Sequence, residues 1–80
     1  MVYLEKIEIS NDLVKYYYYE SKGTQKGILI YKPQTDECEV EKLCEGDEEY
    51  YRATRQHAFH RIIQYVKQNN YPDKDIVAWG

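Results

Sequence analysis

The sequence predicts an α+β fold: an antiparallel sheet of four to five strands with one long helix packed across one face. Two observations lead to this prediction. Before Cys44, short segments rich in β-branched, aromatic and alternating residues are separated by turn-forming clusters, the pattern of strands. From Tyr50 to Gln68 the chain contains no glycine or proline and places apolar residues at helical spacing. The predicted order of elements is therefore β-β-β-β-α-β.

Signals at both ends bound the predicted helix. Asp47 is placed to act as N-cap, because its carboxylate can accept hydrogen bonds from free N–H groups of the first turn. Asn69 and Asn70 follow the last apolar residue, and asparagine tolerates the left-handed conformation that often ends a helix. Pro72 then prevents continuation. The apolar stripe that should face the sheet consists of Tyr51, Ala58, Phe59, Ile62 and Val66.

The strands are predicted from alternation and from the turns between them. In the first, Tyr3, Ile7 and Ile9 fall on one side, with charged residues on the other. The last strand follows the helix, and it either extends the sheet in antiparallel fashion or lies parallel to an earlier strand through a right-handed crossover. The predicted strands are Val2 to Ile9, Leu13 to Tyr19, Ile28 to Tyr31, Glu37 to Leu43 and Asp75 to Trp79.

Length and charge limit the class of protein. Eighty residues predict a single domain with a small core. A net charge of −3 argues against nucleic acid as a partner over a broad surface. Glu5 and Lys6 lie where a signal peptide would be apolar, and no apolar segment approaches the length of a bilayer span. We therefore expect no membrane insertion, a cytoplasmic location, and two cysteines that remain free thiols.

Ten tyrosines are the compositional peculiarity of the chain. Four of them are consecutive, from Tyr16 to Tyr19, and must alternate between the two faces of their strand. If Val14 faces the helix, Tyr16 and Tyr18 face it too, but the sequence does not decide which set of tyrosines is the inner one. The candidate interaction face, which would bind a second copy of the chain or another protein, consists of Tyr17, Tyr19 and Tyr31. The alternatives are that these rings stack on bases, or only stabilise the strands by about 0.2–1 kcal/mol per cross-strand pair.

Charge is segregated along the chain. Positions 36–49 hold eight acids and one lysine, a sum of −7, whereas positions 50–70 hold four cations and no acid, a sum of +4. The basic helix face could lie along phosphates of a nucleic acid, and Glu37, Glu39 and Glu41 could act as an acidic inhibitor of a basic protein surface. The alternative is that this helix face binds no partner and is solvated, with weak ion pairs between its arginines and nearby acids. The predicted basic helix face consists of Arg52, Arg55, His57, His60, Arg61 and Lys67.

The sequence predicts no catalytic residue, metal or cofactor. His57 and His60 are three apart on the helix and could share a metal with Cys38 and Cys44. However, residues six apart on a strand are roughly 20 Å apart, whereas zinc ligands lie within about 2.3 Å of the ion. The helix dipole could lower the thiol pKa of Cys44 and make it a nucleophile, with His57 or His60 as its base. However, both histidines lie several turns along the helix from its start, too far to serve as that base. We therefore expect a non-enzymatic protein.

Overall fold

The computed structural model describes residues 1–47 and 53–79 and confirms the α+β prediction. All five strands form one antiparallel sheet, and the helix packs against one face of it. We call that face the inner face and the opposite one the outer face. The elements are β1 (Val2–Ile9), β2 (Val14–Tyr19), β3 (Gly27–Lys32), β4 (Glu37–Lys42), α1 (Ala53–Gln68) and β5 (Lys74–Val77).

The strand order is β4-β3-β2-β1-β5, so the first four strands form a meander and the last lies beside the first. β5 pairs with β1 in antiparallel fashion, which decides the question that the sequence left open. The two edges of the sheet are therefore β4 and β5. Helix α1 makes its main contacts with β1, β3 and β5.

The end of α1 follows the predicted signal. Asn69 adopts a left-handed conformation with φ of 50°. Its N–H donates to the Val66 carbonyl at 3.2 Å, and the Asn70 N–H donates to the Tyr65 carbonyl at 3.1 Å. This pair of bonds closes the last turn in the arrangement known as a Schellman motif. The predicted first turn of the helix, which follows the N-cap Asp47, falls within positions 48–52 and lies outside the described residues.

The core lies between α1 and the inner face. The helix buries Thr54, Ala58, Ile62 and Tyr65. The ring centroids of Tyr65 and Tyr16 are 5.4 Å apart. Tyr16 and Tyr18 are fully buried on this side together with Val14, which decides the parity that the sequence left open. The inner-face residues that complete the core are Val2, Leu4, Val14, Tyr16, Tyr18, Leu29, Tyr31 and Val77.

The parity predicted for β1 is wrong. A bulge between Lys6 and Glu8 shifts the register, so that residues before and after it change sides. Leu4 pairs with Tyr18 on the inner face, whereas Tyr3 points outward and Ile9, beyond the bulge, returns to the inner face beside Val14. Strict alternation would need an unbroken ladder, which β1 does not have.

Tyr18 packs against a glycine on the neighbouring strand, which leaves space for the tyrosine ring. It lies opposite Gly27, where a Cβ atom would come within 2.3 Å of the Tyr18 ring and 2.5 Å of the Cys44 amide nitrogen. The Tyr18 hydroxyl donates to Asp47 Oδ2 at 2.5 Å and accepts from the Cys44 N–H at 3.2 Å. The side chain of Asp47 is fully buried, so this contact ties the loop before α1 to the sheet.

Candidate functional site

The outer face of the sheet carries three tyrosines. The register places Tyr3 opposite Tyr19, with their rings stacked at 5.1 Å between centroids and 17° between planes. Tyr17 lies on the same face between Glu5 and Ile28. In the part of the chain that the structure describes, no second helix or strand covers this face.

A lysine and a glutamate order these rings. The Tyr19 hydroxyl donates to Glu5 Oε2, and Lys26 Nζ lies 3.0 Å from Glu5 Oε1. The hydrogen bond from Tyr19, followed by that from Lys26, holds the pKa of Glu5 below its usual value. The same bond raises the pKa of Tyr19 to about 12. Lys26 Nζ also lies 5.4 Å from the ring centroid of Tyr17 and 5.2 Å from that of Tyr19, within the range of a cation–π contact.

The half of the outer face formed by β3 and β4 is covered by ion pairs of the chain itself. Lys15 on β2 and Glu41 on β4 meet at 3.1 Å, which carries their side chains across β3. Lys32 and Glu39 form a second pair at 2.8 Å. Ile30 lies between these pairs and is only 8% exposed although it points away from the helix. The accessible part of the outer face is therefore the half formed by β1, β2 and β5.

The structure separates the three tyrosines of the predicted interaction face. Tyr17 is half-buried on the outer face, and Tyr19 lies there too but is only 9% exposed because of its stack on Tyr3. Tyr31 is placed on the wrong face by the prediction. It pairs with Val14 on the inner face, is 5% exposed, and donates its hydroxyl to Asp36 Oδ1 at 2.6 Å. Because β3 is apolar on both faces, its sequence gives no signal of parity.

Sequence reasoning missed three outer-face residues. Tyr3 lies on the outer face, because the β1 bulge separates it from Ile9, with which the alternation grouped it. Ile76 on β5 pairs with Tyr3 and is 54% exposed, which places an accessible aliphatic side chain beside the stacked rings. Lys26 comes from a loop whose position depends on the pairing of β2 with β3. We call Tyr3, Tyr17, Tyr19 and Ile76 the aromatic patch.

The predicted basic helix face is divided by internal contacts. Arg61 donates to Asp75 Oδ2 at 2.8 Å. Arg55 Nε lies 3.0 Å from Asp47 Oδ2, a contact between charges that lacks the alignment of a hydrogen bond. These two arginines are therefore neutralised by carboxylates of the same chain, which does not favour their use against phosphates.

The other residues of that face have separate surroundings. His57 stacks on Trp79 with ring centroids 4.2 Å apart and planes 11° apart. His60 Nε2 lies 3.4 Å from Gln64 Nε2, and Lys67 is exposed in the last turn of α1. Arg52 lies outside the described residues. The described members of the predicted face thus do not form a continuous basic surface.

The cysteines and histidines do not meet. Cys38 is exposed, Cys44 is buried, and both are free thiols. Burial raises the pKa of the Cys44 thiol to about 11, the opposite of the lowering that a helix start could provide. Within residues 1–47 and 53–79, no three His, Cys, Asp or Glu side chains are grouped as metal ligands.

A shallow cleft opens between α1 and β5. Its cavity volume is about 280 Å³. The carboxylate of Asp75 lies in it. Burial acts to raise the pKa of Asp75, but the hydrogen bonds from Tyr65, from the Ile76 N–H and from Arg61 together outweigh it, so the pKa lies below its usual value. A carboxylate that is held ionised in this way is a poor general acid. The cleft is lined by Arg61, Gln64, Tyr65, Gln68, Asn70, Pro72 and Asp75.

Comparison of the chain with known protein families, with curated proteins and with solved structures finds no match. The one helix in the described part of the chain is too short and too polar to span a bilayer. The outer face of the sheet therefore has to be interpreted from its own geometry and chemistry.

Proposed function

We propose that this chain is a small non-enzymatic protein-interaction module of the cytoplasm that forms a homodimer through the aromatic patch. The observation that carries the proposal is the ordered, uncovered group of rings on the outer face. Tyr3 and Tyr19 are stacked, and Lys26 and Glu5 fix their surroundings. Side chains that are already ordered lose little conformational entropy when a partner covers them, so more of the contact energy remains for association.

The charges around the patch suit a second copy of the same surface. Lys26 and Glu5 lie on one side of the Tyr17 ring, and both signs are therefore present within one small area. In a two-fold dimer the same surface of both copies forms the interface, so a contact from residue i to residue j is accompanied by the contact from j to i. Lys26 of one copy can therefore approach Glu5 of the other, and the reverse. Both side chains are partly exposed, so each can contact the other copy while it keeps its own ion pair.

The size of the patch indicates a weak dimer. Three strands about 4.8 Å apart and roughly 20 Å long present a projected area of about 300 Å² per copy. Stable interfaces bury about 1,200–2,000 Å² in total, so a contact limited to this area belongs with weak and transient complexes. We therefore expect association only at high micromolar concentration.

Sedimentation equilibrium over low micromolar to millimolar protein tests the dimer. The average mass should rise with concentration, and Tyr17→Glu should abolish the rise because it buries a carboxylate against the partner. Gln56→Glu is the matched control, since it adds the same charge at an exposed position of α1. A monomeric mass throughout the range would refute the proposal, as would equal association of the two variants.

The cytoplasmic part of the proposal rests on the thiols. Cys38 is an exposed free cysteine, which persists in a reducing compartment. Fractionation of the source cells with an antibody against the chain tests this location, and recovery in an oxidising compartment would contradict it.

A further inference from the structure

The edge strand β4 differs from the rest of the sheet in its exposure. It lies at one end of the strand order, and all six of its residues are exposed. β4 pairs with β3 on one side only. In the part of the chain that the structure describes, the N–H and C=O groups on its other side face no strand. Such an edge can accept an additional strand through main-chain hydrogen bonds.

The two faces of β4 differ in chemistry. Glu37 and Glu39 lie opposite Lys32 and Ile30 on the outer face. Cys38 and Val40 lie opposite Tyr31 and Leu29 on the inner face, as their alternation predicted. Glu39 pairs with Lys32 at 2.8 Å, but its side chain stays 46% exposed, so a basic side chain of an added strand can still reach it. An added strand would therefore place every second side chain beside Glu37 and Glu39 and the intervening ones beside apolar groups.

The shoulder of helix α1 that lies away from β5 carries apolar side chains. The contacts of α1 with the last strand and the C-terminal segment, through Arg61 and His57, place one shoulder of the helix toward β5. The opposite shoulder, with Phe59, Ile63 and Val66 only partly buried, therefore points toward the β4 edge. Val40 on the inner face of that edge is 37% exposed.

The acids disfavour a second copy of β4 as the added strand. In a two-fold antiparallel pair, residues directly opposite each other must point to the same side of the sheet. A register centred on Glu39 places it against itself, and one centred on Val40 places Glu39 opposite Glu41 of the other copy. Like charges directly opposite each other are destabilising.

We propose that the β4 edge binds an extended segment of a partner protein in which basic residues alternate with apolar ones. The basic side chains lie beside Glu37 and Glu39, the apolar ones lie beside Cys38 and Val40, and main-chain hydrogen bonds extend the sheet by one strand. The occupied edge is distinct from the aromatic patch, so the inference does not depend on the proposed homodimer.

Calorimetric titration with synthetic peptides tests the main-chain part of the proposal. The probe is a blocked peptide of alternating lysine and valine, and the control is a peptide of the same composition with the two residue types in separate blocks. We expect the alternating peptide alone to bind. Two further peptides carry N-methyl groups on one or the other set of alternate amides. Only one set faces β4, so one methylated peptide should lose binding and the other should retain it.

Variants of the protein test the charge part. Glu39→Lys should weaken binding of the alternating peptide about tenfold, because it replaces an attraction by a repulsion across the strands. Glu45→Lys, which makes the same charge change at an exposed loop position, should not. Tyr17→Glu should also bind normally, which separates this edge from the dimer surface.

Three results would overturn the inference. The first is no binding of the alternating peptide at millimolar concentration. The second is equal binding of the alternating, block and both methylated peptides, which indicates charge attraction without strand addition. The third is self-association of the wild-type chain that Glu39→Lys strengthens and Tyr17→Glu leaves intact, since the edge would then be occupied by another copy.

Discussion

Replacing Tyr18 by phenylalanine removes one hydroxyl from a buried site and keeps the ring that covers Gly27. The hydroxyl donates to Asp47 and accepts from the Cys44 N–H, so the change leaves the Cys44 N–H without a partner and removes the hydrogen bond to Asp47. Each buried group left in this way costs about 1–3 kcal/mol. Arg55 still faces the Asp47 carboxylate at 3.0 Å and limits the loss. We therefore expect the free energy of unfolding to fall by about 3 kcal/mol, a large fraction of the roughly 4–12 kcal/mol available to a domain of this length.

The same strand offers a matched control. Tyr16 is equally buried, but its hydroxyl donates only to the Pro72 carbonyl at 2.8 Å, where the residue is partly exposed and water can replace the lost donor. Tyr16→Phe should therefore cost about 0.5–1.5 kcal/mol. Urea titration followed by circular dichroism measures both, provided the slopes agree. If the loss for Tyr18→Phe lies within about 0.5 kcal/mol of the loss for Tyr16→Phe, the two extra hydrogen-bond partners of Tyr18 do not stabilise the fold.

Three further predictions concern the core, the thiols and acid stability. Ile62→Ala should cost about 2–5 kcal/mol in the same titration, because the side chain is fully buried, and a change below about 0.5 kcal/mol would contradict its place in the core. A thiol reagent at about pH 8 should label Cys38 rapidly and Cys44 only after unfolding, since burial raises the Cys44 pKa to about 11; equal labelling rates would contradict its burial. The pKa of Asp75 is lower in the folded protein than in the unfolded chain, so its ionised carboxylate stabilises the fold. This contribution is complete above about pH 4, the ordinary pKa of an aspartate, and is lost as the pH falls through the pKa of Asp75 in the folded protein. The difference in unfolding free energy between wild type and Asp75→Asn should therefore shrink below about pH 4, and a constant difference down to about pH 2 would contradict the shift.

The candidate site could be predicted only in part. The excess of tyrosine draws attention to β2, and strand alternation places Tyr17 on the outer face once Val14 is known to face the helix. Ile76 joins it from a strand that is distant in sequence and Lys26 from the loop between β2 and β3, and no local pattern connects either residue to Tyr17. The ion pair between Lys15 and Glu41, which covers half of the outer face, likewise requires the order of three strands.

The sequence by itself determined the features that depend on local backbone chemistry. The end of α1 follows from asparagine in the left-handed conformation, and the alternation of Tyr16 with Tyr17 follows from the two-residue repeat of a strand. Tertiary structure alone decided the face of Tyr31, the parity of β1 beyond its bulge and the pairing of Arg61 with Asp75. Each of these depends on register or on a partner far along the chain, and local rules specify neither.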